Sequence, residues 1–346
     1  MDEQLLPDLL RLRGSVVAAS DEFFAAKENL IKPEAPVFVP DTYGARGQVY
    51  DGWETRRRRG QDGELPDRTA RDWVIVRLGV PGVVRAVVVD TAFFTGNYPQ
   101  ACSVDACALS GYPDAEELTG ADPGAWHEIV PRALVTGDAR HVLKVSSGRR
   151  FSHLRLNIFP DGGVARLRVH GEVSPDPDLL AGMTLDLAAL ENGADVAGRS
   201  DRNYYSSPRN VIAPGLSRVM GEGWETRRRR RPGHEWLIIR LAGHGVINIA
   251  EIDTSWYRGN QPDLASLQTL DASTGASLAD PAAWKELLPP TRLLPDTPHR
   301  FRVSGEPATH VRLNIFPDSG VARLRLYGSL TDAGLAAIRR RWDETT

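Results

Sequence analysis

The octapeptide Gly-Trp-Glu-Thr-Arg-Arg-Arg-Arg runs from Gly52 to Arg59 and recurs from Gly223 to Arg230. A carboxylate followed by four guanidinium groups can do chemistry. Guanidinium groups bind carboxylates through paired, charge-assisted hydrogen bonds. In an extended run alternate arginines face opposite ways, so Arg56 with Arg58, and Arg227 with Arg229, are candidate substrate-binding pairs. The bland alternative is a solvated or salt-bridged face. A carboxylate among arginines stays ionised, which suits Glu54 and Glu225 to accept a proton or a ligand hydrogen bond. Here the alternative is a structural salt bridge.

Further polar residues also occur twice at matching places. His153-Leu-Arg-Leu-Asn-Ile-Phe-Pro-Asp161 returns almost letter for letter from His310 to Asp318. It puts His153, Arg155 and Asn157 on one strand face, and His310, Arg312 and Asn314 on another. A histidine there can transfer protons near neutral pH, although lone strand histidines are more often hydrogen-bonded structural groups. Asp90-Thr91 with Gly96-Asn97 matches Asp253-Thr254 with Gly259-Asn260. Asn97, Asn157, Asn260 and Asn314 each offer an amide ligand both a donor and an acceptor. Asp161 and Asp318, after proline, read as turn residues. The candidate acid–base residues are therefore Glu54, Glu225, His153 and His310. Arg56, Arg58, Asp90, Asn97, Asn157, Arg227, Arg229, Asp253, Asn260 and Asn314 are candidates for binding.

Other chemistries lack their motifs. No HExxH, P-loop, GxSxG or CxxC occurs, no metal-ligand spacing is diagnostic, and no cofactor is required; a divalent metal stays open. A formal charge of -3 over 346 residues argues against nucleic-acid binding. No apolar run spans a membrane, and the N-terminus reads as no signal peptide, so the expected compartment is the cytoplasm. Cys102 and Cys107, the only cysteines, read as reduced thiols.

The elements that must position these residues follow from the duplication. Trp73-Val-Ile-Val-Arg-Leu, bounded by turn residues, answers to Trp236-Leu-Ile-Ile-Arg-Leu, and Val83–Val89 is a second β-branched run. Phe151–Phe159 and Val164–Val169 alternate apolar and polar residues, the pattern of half-buried antiparallel strands. Pro160-Asp-Gly-Gly163 reads as the turn joining them, with Arg166 and Arg168 on the outer face. The chain thus reads as all-β: two tandem jelly-roll β-sandwich domains with short peripheral helices. They cover 1–174 and 196–330, with a linker at 175–195 and a C-terminal helix over 331–346. Extra residues at Gly60–Ala70 read as a surface-loop insertion.

Asp51-Gly-Trp-Glu-Thr-Arg-Arg-Arg-Arg59, Val89-Asp-Thr91 with Gly96-Asn-Tyr-Pro99, and Arg155-Leu-Asn-Ile-Phe-Pro-Asp161 resemble the motifs of the allantoicase family. Their second copies and the Asn29 and Asn210 lead-ins match as well, so the resemblance covers about 24–328. It implies two galactose-binding-like jelly rolls, a homo-oligomer, and hydrolysis of allantoate to ureidoglycolate and urea in purine (allantoin) breakdown. It assigns no catalytic residue. Matched to that substrate, an arginine would take the carboxylate and Asn97, Asn157, Asp90 and their duplicates the ureido groups. Glu54 or Glu225 would be the base and His153 or His310 the acid. The rival readings are a non-catalytic tandem jelly roll that binds sugars or other small molecules, and a structural oligomer joined by Arg–Glu networks.

Overall fold

The computed structural model describes residues 6–59, 70–201 and 206–346; of the Gly60–Ala70 insertion, all but Ala70 lies outside the described residues. Two compact units divide the chain, Asp2–Glu172 and Val173–Glu344. In the first, Ser15–Ala19, Asp72–Asp90, Arg150–Phe159, Ala101–Cys107 and His127–Leu134 lie side by side in that order. All their pairings are antiparallel.

Asp72–Asp90 is a single strand of 19 residues, where the sequence read two strands separated by a turn. Its pairing with Arg150–Phe159 slips between Arg77 and Gly82. Its second half pairs with Arg140–Lys144, and it also pairs with Arg166–Val173. Pro81 and Gly82 therefore bend a strand that serves both sheets of the sandwich, instead of ending one.

The second unit repeats the plan around Glu235–Asp253. Asp195–Arg199 and Ala308–Phe316 pair with its first half, Pro298–Arg302 and Arg323–Leu330 with its second. Leu264–Leu270 and Lys285–Arg292 extend the sheet beyond Ala308–Phe316. Between the sheets of each unit lie fully buried side chains, Val74, Val76, Leu154, Leu156 and Leu167 in the first and Leu237, Ile239, Leu313, Ile315 and Leu324 in the second. Each such burial stabilises the fold by roughly 1.5–3 kcal/mol. Both units are jelly-roll β-sandwiches.

The opposite face of the larger sheet carries a smaller cluster. In the first unit Ile75, Cys107, Leu118 and Trp126 pack there, under a connection holding the capped helix Ala115–Thr119. Ile238, Leu270 and Trp284 do the same in the second. Cys102 and Cys107 are buried free thiols. Five positions apart on one strand, they face opposite ways, and burial pushes them up to about 11 and about 12.

Two sequence expectations need correction. Pro160–Gly163 does not close a hairpin: the strands it joins both pair with Asp72–Asp90, and Gly163–Val164 pairs instead with Trp53–Glu54. Arg166 is not on an outer face. It is 2% exposed and donates to the carbonyls of Glu34 and Asp51. The 175–195 linker is packed against the second unit. Leu185–Asp186 pairs with Tyr327–Gly328, and Leu187, Ala188, Ala189 and Leu190 are buried. A helix runs Asp332–Glu344; among the described residues no helix is long and apolar enough to cross a membrane.

Candidate active site

The two-residue strand Trp53–Glu54 is anchored from below. Trp53 is fully buried and its indole N–H donates to the Asp21 carbonyl at 2.8 Å. The Asn29 amide donates to the Gly52 carbonyl, and Asn210 holds the Gly221 and Gly223 carbonyls in the second unit, which explains why the lead-ins are duplicated. Gly163 lies against Glu54 in register. A Cβ on Gly163 would fall 2.0 Å from the Phe94 ring, and one on Gly320 1.8 Å from Tyr257. Only glycine lets the strand pass these rings.

On this frame Asn97 Nδ2 donates to Glu54 Oε1 at 2.7 Å. Asn260 Nδ2 donates to Glu225 Oε1 at 2.9 Å. The asparagine loops are held in turn: the Asn97 carbonyl accepts from Gly163 N–H, and the Asn260 carbonyl from Gly320 N–H. Both copies thus set a half-buried carboxylate against an asparagine amide. Burial raises the Glu54 carboxyl above its ordinary value, against the lowering effect of Asn97. A carboxylate so placed is a stronger base than a solvated one.

Beyond the glutamate the chain passes the Pro-Asp corner. Arg58 N–H donates to Asp161 Oδ2 and Arg229 N–H to Asp318 Oδ2, each at 2.6 Å. Burial raises the Asp161 carboxyl, a backbone hydrogen bond from Arg58 opposing it. The aspartates read as turn residues are therefore the second carboxylate of this corner; their recurrence after proline was the available signal.

The candidate arginine pairs already have partners. Arg56 Nε donates to Asp21 Oδ1 at 2.9 Å. The Arg58 guanidinium grips Asp72, with Nε at 3.0 Å, and Arg229 Nη1 reaches Glu235 Oε1 at 2.5 Å. Arg227 N–H donates to Asp201 Oδ2. Arg57 and Arg228, exposed like Arg56 and Arg227, lie between the paired arginines, and the Arg57 charge acts on Asp161.

Other sequence candidates lie elsewhere. Asp90 Oδ1 accepts from Ala92 N–H, and Asp253 Oδ1 from the N–H and hydroxyl of Ser255. Both aspartates hold the turn that leads to the asparagine loop. Asn157 and Asn314 are buried on the second sheet face, bonded to Ser103 with Asp105 and to Ser266 with Gln268.

His153 and His310 are also not brought to the glutamates. Six residues separate His153 from the strand end at Phe159, roughly 20 Å at about 3.3 Å per residue. Its Nδ1 meets Ser152 Oγ, as that of His310 meets Thr309 Oγ1. Burial, reinforced by the Arg77 charge, lowers His153 to about 4; burial and Arg240 lower His310. Both imidazoles are buried against a neighbouring hydroxyl. Among the described residues no group of three or more His, Cys, Asp or Glu could hold a metal ion.

Comparison with known proteins places this architecture. A model of the allantoicase repeat matches residues 8–174 and 185–331. A probable allantoicase of Nocardia farcinica is 53% identical over 94% of each chain. One from Streptomyces coelicolor is 50% identical over 96% of this chain and 88% of its own. The crystal structure of allantoicase from Saccharomyces cerevisiae superposes with a TM-score of 0.74 at 34% identity, covering 93% of this chain and 92% of that one.

Proposed function

The chain belongs to the allantoicase family, and on that premise we propose that it hydrolyses allantoate to ureidoglycolate and urea at the Glu–Asn corner of its repeats. The observation that carries the location is the Glu54–Asn97 pair and its duplicate Glu225–Asn260.

Allantoate has a central carbon bearing a carboxylate and two ureido nitrogens. Cleaving one C–N bond requires that water, or the remaining ureido nitrogen, lose a proton and that the departing urea nitrogen gain one. Glu54 and Glu225 take the first proton, and the asparagine amides keep each carboxylate aimed, with burial raising the Glu54 carboxyl. With the histidines elsewhere, the protonated glutamate returns that proton to urea, so one side chain serves in both directions. The substrate carboxylate goes to the arginine run, at Arg57 and Arg228, which lie next to arginines already paired with the protein's own carboxylates. We place the enzyme in the cytoplasm and expect it to self-associate, a point settled by its mass in solution.

The test is incubation with allantoate while urea is measured, with and without a chelator. One urea per allantoate consumed is expected. No urea in either arm overturns the reading, and loss in the chelator arm alone assigns a metal requirement.

A further inference from the structure

The two repeats differ in charge at a matching register position of the second sheet face. In the first, Arg155 stands opposite Asp105 in register. Asp105 Oδ2 accepts from Arg155 Nε at 3.1 Å, from Arg155 Nη2 at 2.9 Å and from Asn157 Nδ2 at 2.9 Å. The guanidinium lies over Trp126, 4.6 Å from the ring centroid. This is a satisfied, partly buried ion pair.

In the second repeat the residue opposite Arg312 is Gln268. Gln268 Oε1 still accepts from Asn314 Nδ2 at 3.1 Å, yet an amide brings no negative charge. Arg312 has turned to the other tryptophan of the face, 4.8 Å over Trp236. Its Nε is buried without a hydrogen-bond partner, and no carboxylate among the described residues pairs with it. Burial lowers its pKa with nothing to offset it. Beside it, His234 Nε2 meets Asn314 Oδ1 at 3.2 Å; burial lowers that imidazole, the Arg312 and Arg229 charges add to this, and the Asn314 hydrogen bond and the Glu235 carboxylate oppose it.

A half-buried guanidinium without a counter-charge is costly, and the first repeat shows what relieves it. We infer that Arg312, stacked on Trp236 and flanked by His234, Asn314 and Gln268, binds a small carboxylate from solution, filling the role that Asp105 fills within the chain in the first repeat. Arginine suits this because its planar fork matches a carboxylate, and the tryptophan face holds the guanidinium in place. The residue is partly exposed, so a ligand can reach it. The site is separate from the Glu225–Asn260 pair: Arg312 lies four residues, roughly 13 Å, inside the strand end at Phe316.

The test uses the full chain, acetate as the probe and acetamide as its neutral counterpart, followed by the arginine Nε–H resonances at low chloride. Acetate should shift one arginine signal saturably, at roughly millimolar concentration, and acetamide should not. Arg312→Gln should remove that signal and the binding. Gln268→Asp, which copies the first repeat, should weaken acetate binding at least tenfold while the protein stays folded. Asp105→Gln should create a second acetate-responsive arginine. Glu225→Gln should leave the response in place, which separates this site from the proposed hydrolytic one. No saturable shift in the unaltered protein, or full acetate binding in folded Gln268→Asp, overturns the inference.

Discussion

Residue identity announced which groups were special, and environment decided what each became. Glu54 and His153 were both chosen because they recur in duplicate. The glutamate lies in a corner with one amide partner; the histidine is 1% exposed, with a serine on one nitrogen and nothing on Nε2. No periodicity could separate the two, because burial of a strand's second face depends on which loop covers it. His153 makes a measurable prediction. Its pKa is about 4 in the folded chain against 6.5 for the free group, so between those values the unfolded chain binds more protons. Stability is therefore full above about pH 6.5 and falls as the pH drops toward 4, by up to about 3 kcal/mol for this one group. His153→Asn should flatten that acid limb in denaturant titrations. An unchanged slope between pH 6.5 and 4 would show that the imidazole is not held neutral.

At the scale of elements, alternation was readable and continuity was not. Trp73–Leu78 and Val83–Val89 have strand composition, and the Gly-Val-Pro-Gly between them has turn composition. The structure keeps one strand, because a bend with a slipped register passes the chain from one sheet to the other. Arg166 was misplaced for a related reason. Its alternation is that of an outward residue, but the entry segment to the Trp53–Glu54 strand lies over it and offers carbonyls. The glycines at this crossing were visible in duplicate without their cause, the aromatic rings of Phe94 and Tyr257. Gly163→Ala should destabilise the fold by about 1–3 kcal/mol, as overpacking does. Adding Phe94→Leu should recover much of that loss, a coupling that a thermodynamic double-mutant cycle would read. Simple additivity would mean that the ring is not what excludes a side chain.

At the scale of the whole molecule, duplication made the fold legible early and concealed that the copies are not equivalent. Each repeat has its own sandwich core, its own Glu–Asn pair and its own Pro-Asp corner, so each has the parts of the proposed hydrolytic site. Yet burial raises the carboxyl of Glu54, while Asn260 shares its amide between Glu225 and the Met220 sulfur at 3.3 Å. The two pairs therefore have different surroundings. Glu54→Gln and Glu225→Gln each remove a base while keeping an oxygen that can accept the asparagine amide. A positioned base contributes about 10²–10⁴-fold to rate, so each single variant should retain the output of the untouched copy, and the double variant should fall by at least about 100-fold. If one single variant alone abolishes urea release, the other repeat is not a catalyst. If the double variant keeps full turnover, the proton is carried by another group, and Asp161 with Asp318 becomes the pair to replace.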